Sequence, residues 1–139
     1  MVKVDVVRRK VTESLHRISR AEAFLAQPAE EFLANEDLKE LASFNLFLAI
    51  QECIDLASHF VADEDWGPAD DAGSAFDVLA DHRMIDRDLA EKMRRAVGLR
   101  NLIVHGYTTV NHARIQGEYS EGIENLRRFL AAAAERAGI

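Results

Sequence analysis

The chain has 139 residues, of which 48% are hydrophobic and 29% charged, so it is long enough to fold as one domain with a packed core. A single cysteine, Cys53, excludes an internal disulfide and any cysteine-based zinc motif, and it favours a cytoplasmic location. The formal net charge of −7 argues against a general nucleic-acid binder, because such binding depends on cations that neutralise phosphates. The sequence shows no apolar run of about 18 residues and no signal-peptide pattern, so we expect no membrane span.

Apolar residues recur every three or four positions along most of the chain, which predicts helices, and no segment alternates like a strand. We therefore expect an all-α fold, an up-and-down helical bundle of four to five main helices with a short extra helix, formed by residues 1–139 as a single domain. The main helices are predicted at about residues 3–26, 36–63, 87–106 and 112–136, with a short hook at 29–34 and a short helix that starts at Ser74.

Local signals mark several helix starts. Asn35 and Asp86 are candidate N-caps, because a short polar side chain can accept a hydrogen bond from a free backbone N–H of the first turn. Ser74, with Asp77 three residues later, has the pattern of a capping box. These signals predict that three of the helices begin close to these positions.

The second predicted helix is apolar around most of its circumference, which is typical of a helix at the centre of a bundle or in a dimer contact. Gln51, Asp55 and His59 recur on it every four residues and form a polar ridge. Two interpretations stay open. The ridge is either a solvated exterior, or it faces a functional site where Asp55 orients Arg100 or His105.

Charge is unevenly distributed along the sequence. Acidic residues cluster at 63–71, in a segment predicted to be a loop, whereas six basic residues lie between Arg83 and Arg100. This basic strip could hold a phosphate chain, which weakens the objection raised by the acidic net charge. Alternatively, Arg94 and Arg95 simply form a solvated helix face.

The stretch 96–107 (AVGLRNLIVHGY) places a guanidinium, an amide, an imidazole and a phenol in otherwise apolar sequence. Such a setting is half-buried, and an unpaired polar group there costs roughly 1–3 kcal/mol. Gly106 is predicted to end the helix, with Tyr107 beyond it and the following Thr-Thr-Val forming an extended link. The negative helix terminus favours a protonated imidazole, so His105 is a candidate proton donor.

Arg100 and His105 are five residues apart, which separates them by about 140° on an ideal helix. A helix break at Gly106 and a second subunit are expected to bring the two groups around one phosphate. A second subunit would also supply the second protonatable group that an acid and base pair needs. Gly98, inside the helix, is expected to allow close approach of another backbone or a ligand.

The arrangement of Arg100, Asn101, His105 and Tyr107 resembles the signature of the HEPN ribonuclease superfamily, specifically its HepT-like toxins. The similarity extends over three segments, residues 44–55 (FNLFLAIQECID), 74–79 (SAFDVL) and 85–107. The resemblance implies a HEPN-like helical homodimer with paired signatures at its interface, and a ribonuclease activity directed at RNA. It also implies a partner, an MNT-type nucleotidyltransferase antitoxin that adenylylates Tyr107.

Cleavage of RNA without a metal ion or cofactor needs a base near the 2′-hydroxyl, an acid near the leaving oxygen and a cation on the phosphate. We assign Arg100 to the phosphate, His105 to proton transfer, Asn101 to orienting the imidazole or the phosphate, and Asp55 and Gln51 to possible support. No spacing of the remaining histidines is typical of a metal site. The alternative function is a non-catalytic helical module that binds a nucleotide or a partner protein.

Overall fold

The computed structural model describes residues 2–139 and forms an all-α bundle, as predicted. Within this range there are six α-helices and no strand. The helices are α1 Val4–Leu25, α2 Ala29–Ala34, α3 Glu36–Asp63, α4 Ala72–Asp81, α5 Arg87–Gly106 and α6 His112–Ala137, with a 3₁₀ turn at Tyr107–Thr109 between the last two. The predicted bounds of the four long helices agree with the structure to within about two residues.

Helix α3 lies at the centre of the bundle and packs against each of the other five helices. Its interior positions are almost completely buried, including Leu46, Ile50, Cys53, Ala57 and Phe60. Burial raises the pKa of the Cys53 thiol to about 12, so this cysteine packs in the core as a neutral thiol. Helix α3 is also long and apolar enough to cross a membrane, but 56% of its apolar window is buried inside the bundle, as in the core helix of a soluble protein.

Side-chain caps fix where the helices begin. Asn35 accepts a hydrogen bond from the Leu38 backbone N–H at 3.2 Å, and Asp86 accepts one from that of Leu89 at 2.7 Å, which confirms both predicted N-caps. The segment after Tyr107 is not the extended link that the sequence predicted. It forms a 3₁₀ turn, closed by a hydrogen bond from the Val110 N–H to the Tyr107 carbonyl.

The predicted capping box of α4 is wrong in its register. The helix begins earlier, with Asp71 as N-cap, and Ser74 is its third residue. Asp71 accepts a hydrogen bond from the Ser74 backbone N–H at 2.7 Å, and the Ser74 hydroxyl accepts one from the Asp71 N–H at 2.9 Å. Asp77 is not part of the cap, because its carboxylate pairs with Arg94 of α5 at 2.7 Å. This pair helps to hold α4 on α5.

Candidate functional site

Arg100 lies on the side of α5 that packs against α3. Met93, Val97 and Arg100 are spaced by four and three residues, which places them on one side of the helix, and Met93 and Val97 are buried. The Nη1 atom of Arg100 donates a hydrogen bond to the Oε1 atom of Gln51 on α3 at 3.2 Å. Its Nε atom is buried and has no hydrogen-bond partner among residues 2–139. The guanidinium is therefore fixed at one end, and its buried Nε donor has no acceptor among the described residues.

The polar ridge of α3 faces this guanidinium in part. Gln51 contacts Arg100 directly, and its Nε2 atom donates to the Oδ1 atom of Asp55 at 3.0 Å. Asp55 thus reaches Arg100 through Gln51 rather than by direct contact. His59 is not part of the group, because its Nε2 atom lies 3.2 Å from a carboxylate oxygen of Asp63, near the end of α3. Two residues of the ridge lie at the site, and the third does not.

The sequence interpretation missed Lys10, which joins this group from α1. Its Nζ atom lies 3.4 Å from Asp55 and 3.2 Å from Glu52, and the lysine and Glu52 side chains are about four-fifths buried. Burial alone would lower the pKa of Lys10, but the two carboxylates together raise it above its usual value. A signal was present, because Lys10 lies three residues after Val7 and four before Ser14, on the same helix face as these two buried residues.

His105 and Asn101 lie on the exposed side of α5, away from Arg100. The helix continues through both residues and ends after His105, at Gly106. A break at that point cannot rotate the imidazole towards Arg100, so the expectation that Gly106 brings the two groups together within one chain is wrong. Gly106 has a different role: a Cβ there would lie 2.9 Å from the hydroxyl oxygen of Thr109, which donates to the Gly106 carbonyl at 2.7 Å.

The exposed side of α5 carries a regular row of residues. Gly98, Leu102 and His105 are spaced by four and three positions, and all three are exposed. A Cβ built on Gly98 has no neighbour within 4 Å in the described part of the chain, so the close approach expected at this glycine is not made by this chain. Leu102 is 53% exposed, so its side chain adds apolar area to this surface. The row offers a small residue, an apolar residue and an imidazole to a surface outside the chain.

Tyr107 lies in the 3₁₀ turn with its ring against His112, at a centroid distance of 5.2 Å. Its hydroxyl oxygen is buried and makes no hydrogen bond of normal geometry within residues 2–139. The Ser43 hydroxyl is nevertheless near enough to lower the pKa of the phenol, against the larger effects that raise it. Burial raises the pKa of Tyr107, and the carboxylates of Glu36 and Glu40 raise it further. The phenol is thus a neutral, unsatisfied group in this conformation.

A shallow groove of about 330 Å³ runs between α3 and α5 beside Tyr107. It is lined by Glu40, Ser43, Phe44, Phe47, Ile103, Val104 and Tyr107. Its apolar rim is open to solvent, because Phe44 is 53% exposed and Val104 49%. The groove therefore places exposed apolar side chains beside Tyr107.

The basic strip that the sequence indicated is largely paired with acidic side chains. Four of its residues form ion pairs of 2.6–3.2 Å, which are Arg87 with Asp81, Arg94 with Asp77, Arg95 with Glu91, and Lys92 with Asp88. Of the two interpretations of this strip, the structure favours the solvated helix face, since Arg94 and Arg95 are exposed and α4 and the first turns of α5 supply carboxylates to the basic residues. Arg100 differs from these four residues, because it contacts the neutral amide of Gln51.

Metal ligands do not gather in the described part of the chain. Across residues 2–139 no group of three or more His, Cys, Asp or Glu side chains is arranged to hold a metal ion. The chemistry that the site offers is a guanidinium with an unused donor, an exposed imidazole and an exposed amide.

Comparisons with known proteins place this arrangement in context. The model of the family described as ribonuclease HepT-like matches residues 14–133. The mRNA nuclease HepT of Shewanella oneidensis is 24% identical over 126 residues, which cover 91% of this chain and 94% of that protein.

Solved structures show the same fold at low sequence identity. A toxin-antitoxin complex with AMP-PNP matches with a TM-score of 0.82 and 22% identity, covering 93% of this chain and 98% of that one. The tri-AMPylated Shewanella oneidensis HEPN toxin in complex with MNT antitoxin matches with a TM-score of 0.82 and 23% identity over 92% and 96%. A cytosolic protein of unknown function from Bacillus subtilis matches with a TM-score of 0.77 and 14% identity over 98% and 92%.

Proposed function

Because the chain belongs to the ribonuclease HepT-like family, we propose that it is the toxin of a toxin-antitoxin pair and cleaves RNA as a metal-independent endoribonuclease in the cytoplasm. The observation that carries this proposal is the state of Arg100. Its guanidinium is held by Gln51, has no carboxylate partner among the described residues and keeps a buried Nε donor free. A planar cation held in this way matches a phosphate oxygen.

The proposed reaction uses the substrate's own 2′-hydroxyl as the nucleophile. Arg100 stabilises the negative charge that develops on the phosphate, an effect that is often the largest single contribution to catalysis. His105 transfers a proton, to the leaving 5′-oxygen or from the 2′-hydroxyl, and such transfer contributes about 10²- to 10⁴-fold in rate. Asn101, exposed on the same helix, bonds a non-bridging oxygen or orients the imidazole.

A homodimer completes the site. Arg100 and His105 lie on different sides of α5 in one chain, so a phosphate that contacts both needs a second copy. The exposed row of Gly98, Leu102 and His105 supports a two-fold contact, since Gly98 permits close packing of helices and Leu102 supplies apolar area. This contact brings two imidazoles to one cleft, which provides an acid and a base.

The proposed partner is an MNT-type nucleotidyltransferase antitoxin that adenylylates Tyr107. The relation to a tri-AMPylated toxin in complex with such an antitoxin supports this assignment. The buried hydroxyl has a consequence, because the 3₁₀ turn at Tyr107–Thr109 must open before the oxygen can attack a nucleotide. The attached phosphate then competes with RNA for Arg100, seven residues earlier in the chain.

The experiment that tests this function has two parts. Expression of the chain alone is expected to arrest host growth, and His105→Ala is expected to relieve the arrest. Purified protein with EDTA present is expected to cleave RNA, whereas Arg100→Ala protein is not. A chain that is harmless without its partner, or equally harmful after His105→Ala, contradicts the proposal.

Two observations favour the second candidate, a non-catalytic helical module that binds a nucleotide or a partner protein. Arg100 and His105 are not joined within one chain, and the net charge is −7. The module predicts that the protein binds RNA or a nucleotide without producing new RNA ends. Mapping of RNA ends after incubation with the purified protein distinguishes the two functions.

A further inference from the structure

We propose that Lys10 of α1 is a positioning residue for Arg100, and that it acts through Asp55 and Gln51. This inference rests on the proposed role of Arg100 at the phosphate. Four side chains from three helices form an unbroken series of contacts, from Lys10 to Asp55 at 3.4 Å, from Asp55 to Gln51 at 3.0 Å and from Gln51 to Arg100 at 3.2 Å. We call this series the relay.

The direction of every hydrogen bond in the relay is determined by chemistry. An ionised Asp55 can only accept, so the amide of Gln51 must turn its NH₂ group towards it. The amide oxygen of Gln51 is then left facing Arg100, whose guanidinium can only donate. If the amide were reversed, its NH₂ group would face the guanidinium, and two donors cannot form a hydrogen bond. Asp55 therefore sets which atom of Gln51 holds Arg100.

Lys10 holds the Asp55 carboxylate in the position that this arrangement requires. Glu52 and Asp55 project from neighbouring positions of α3 and repel one another, and Lys10 lies between them at 3.2 and 3.4 Å. Removing its ammonium leaves two carboxylates with no cation between them, one of them largely buried. Such a pair relaxes by taking up a proton or by moving apart. Either change loosens the constraint on Gln51.

The relay differs from a purely structural contact between α1 and α3. The packing of these two helices rests on buried residues such as Ile18 and Leu25, together with the hydrogen bond from the Ser14 hydroxyl to the Ala49 carbonyl at 3.1 Å. Those contacts do not touch Arg100. If Lys10 only stabilises the fold, removing its charge changes the free energy of unfolding and leaves the position of the Arg100 side chain unchanged. If the relay holds, removing this charge displaces the Arg100 side chain.

The test uses Lys10→Met, which keeps the length of the side chain and removes its charge, and Arg9→Met, which removes one exposed charge from the same helix as the control. We expect kcat for RNA cleavage to fall on the order of tenfold in Lys10→Met, with KM within about twofold. A displaced guanidinium weakens the stabilisation of the transition state more than it weakens the binding of the substrate. The Arg9→Met protein is expected to keep both values.

A compensating pair makes the test independent of folding effects. Gln51→Glu places two carboxylates against each other, and Asp55→Asn leaves the direction of the amide unset, so each is expected to lower kcat on the order of tenfold. The double variant Gln51→Glu with Asp55→Asn restores a donor facing an acceptor and an acceptor facing Arg100. We expect it to recover part of the lost rate, because the hydrogen-bond directions are restored but the carboxylate introduced at position 51 then pairs with Arg100.

A spectroscopic readout separates this inference from the proposed function. The NMR cross-peak of the Arg100 Nε–H group, assigned with Arg100→Lys, is expected to shift in Lys10→Met and in each single variant, and to become a single sharp signal again in the double variant, where the guanidinium is held in one position. An RNA-inactive wild-type protein with these shifts refutes the nuclease function and keeps the relay. A wild-type cross-peak and kcat in Lys10→Met, or a double variant as impaired as its parents, overturns the relay.

Discussion

Gln51 of α3 accepts a hydrogen bond from Arg100 of α5 at 3.2 Å, across 49 residues of chain. This contact fixes one edge of the guanidinium and leaves its Nε donor unpaired within the described residues. This contact therefore holds a guanidinium that is only partly buried and that has no carboxylate partner among residues 2–139.

The first prediction concerns the shape of that cation. Arg100→Lys keeps the charge but replaces a planar fork of donors by a single ammonium, which cannot contact Gln51 and a phosphate oxygen in the same geometry. We expect RNA cleavage to fall about 10²- to 10³-fold, the loss typical of removing a donor that stabilises a developing oxyanion. Cleavage of an end-labelled RNA measures the effect, and an unchanged unfolding midpoint shows that the fold is intact. A rate within threefold of wild type contradicts the assigned role.

The second prediction concerns the Tyr107 hydroxyl. This oxygen is buried without a hydrogen bond of normal geometry, so Tyr107→Phe removes an unsatisfied polar group. We expect the variant to be as stable as wild type or more stable, by up to about 1 kcal/mol in chemical denaturation. After coexpression with the nucleotidyltransferase partner, mass spectrometry is expected to show added adenylate on wild type and none on the variant. Adenylate on the Tyr107→Phe protein refutes this acceptor.

The third prediction concerns pH. Burial, and next the charge of Lys39, lower the pKa of His112 below its usual 6.5. The folded protein therefore binds fewer protons than the unfolded chain between the two pKa values, and stability from this group decreases as pH falls from about 6.5 through the folded pKa. We expect the free energy of unfolding to fall more steeply between pH 7.5 and 5 in wild type than in His112→Gln. Equal slopes contradict the lowered pKa, which an NMR titration of His112 measures directly.

The fourth prediction concerns the exposed row on α5. Leu102→Glu places a charge in the proposed two-fold contact and leaves Arg100 and His105 in place, so we expect a monomer without ribonuclease activity. Leu33→Glu is a matched control, since Leu33 is 38% exposed and lies on α2. It is expected to stay dimeric and active. Light scattering and cleavage assays on both proteins check this. A Leu102→Glu monomer with full activity rejects the composite site.

Local features of the fold could be predicted from the sequence, because helix caps and helical periodicity depend on neighbouring residues. Asn35 and Asp86 are caps as predicted. Contacts between distant segments could not be predicted in the same way. The pairing of Arg94 with Asp77 depends on how α4 packs against α5, so the sequence could not decide between the two interpretations of the basic strip.

Some residues of the site could be identified from the sequence, and others could not. The residues of the signature were identified through the resemblance, and Asp55 and Gln51 were placed near them because they lie at helical spacing on α3. Lys10 was missed, because only the packing of α1 on α3 shows which side chains a buried lysine meets. The separation of Arg100 and His105 followed from the geometry of a helix, and the structure shows that Gly106 does not correct it.

The most direct test of the composite site uses mixed dimers of two inactive variants. Arg100→Ala and His105→Ala proteins, each inactive alone, are combined by coexpression with different affinity tags and purified as the mixed dimer. If Arg100 of one copy acts with His105 of the other, one such pair survives but only one of the two imidazoles, so we expect RNA cleavage clearly above that of either parent and about 10²- to 10⁴-fold below wild type. A mixed dimer that forms in full but cleaves no faster than either parent contradicts the account.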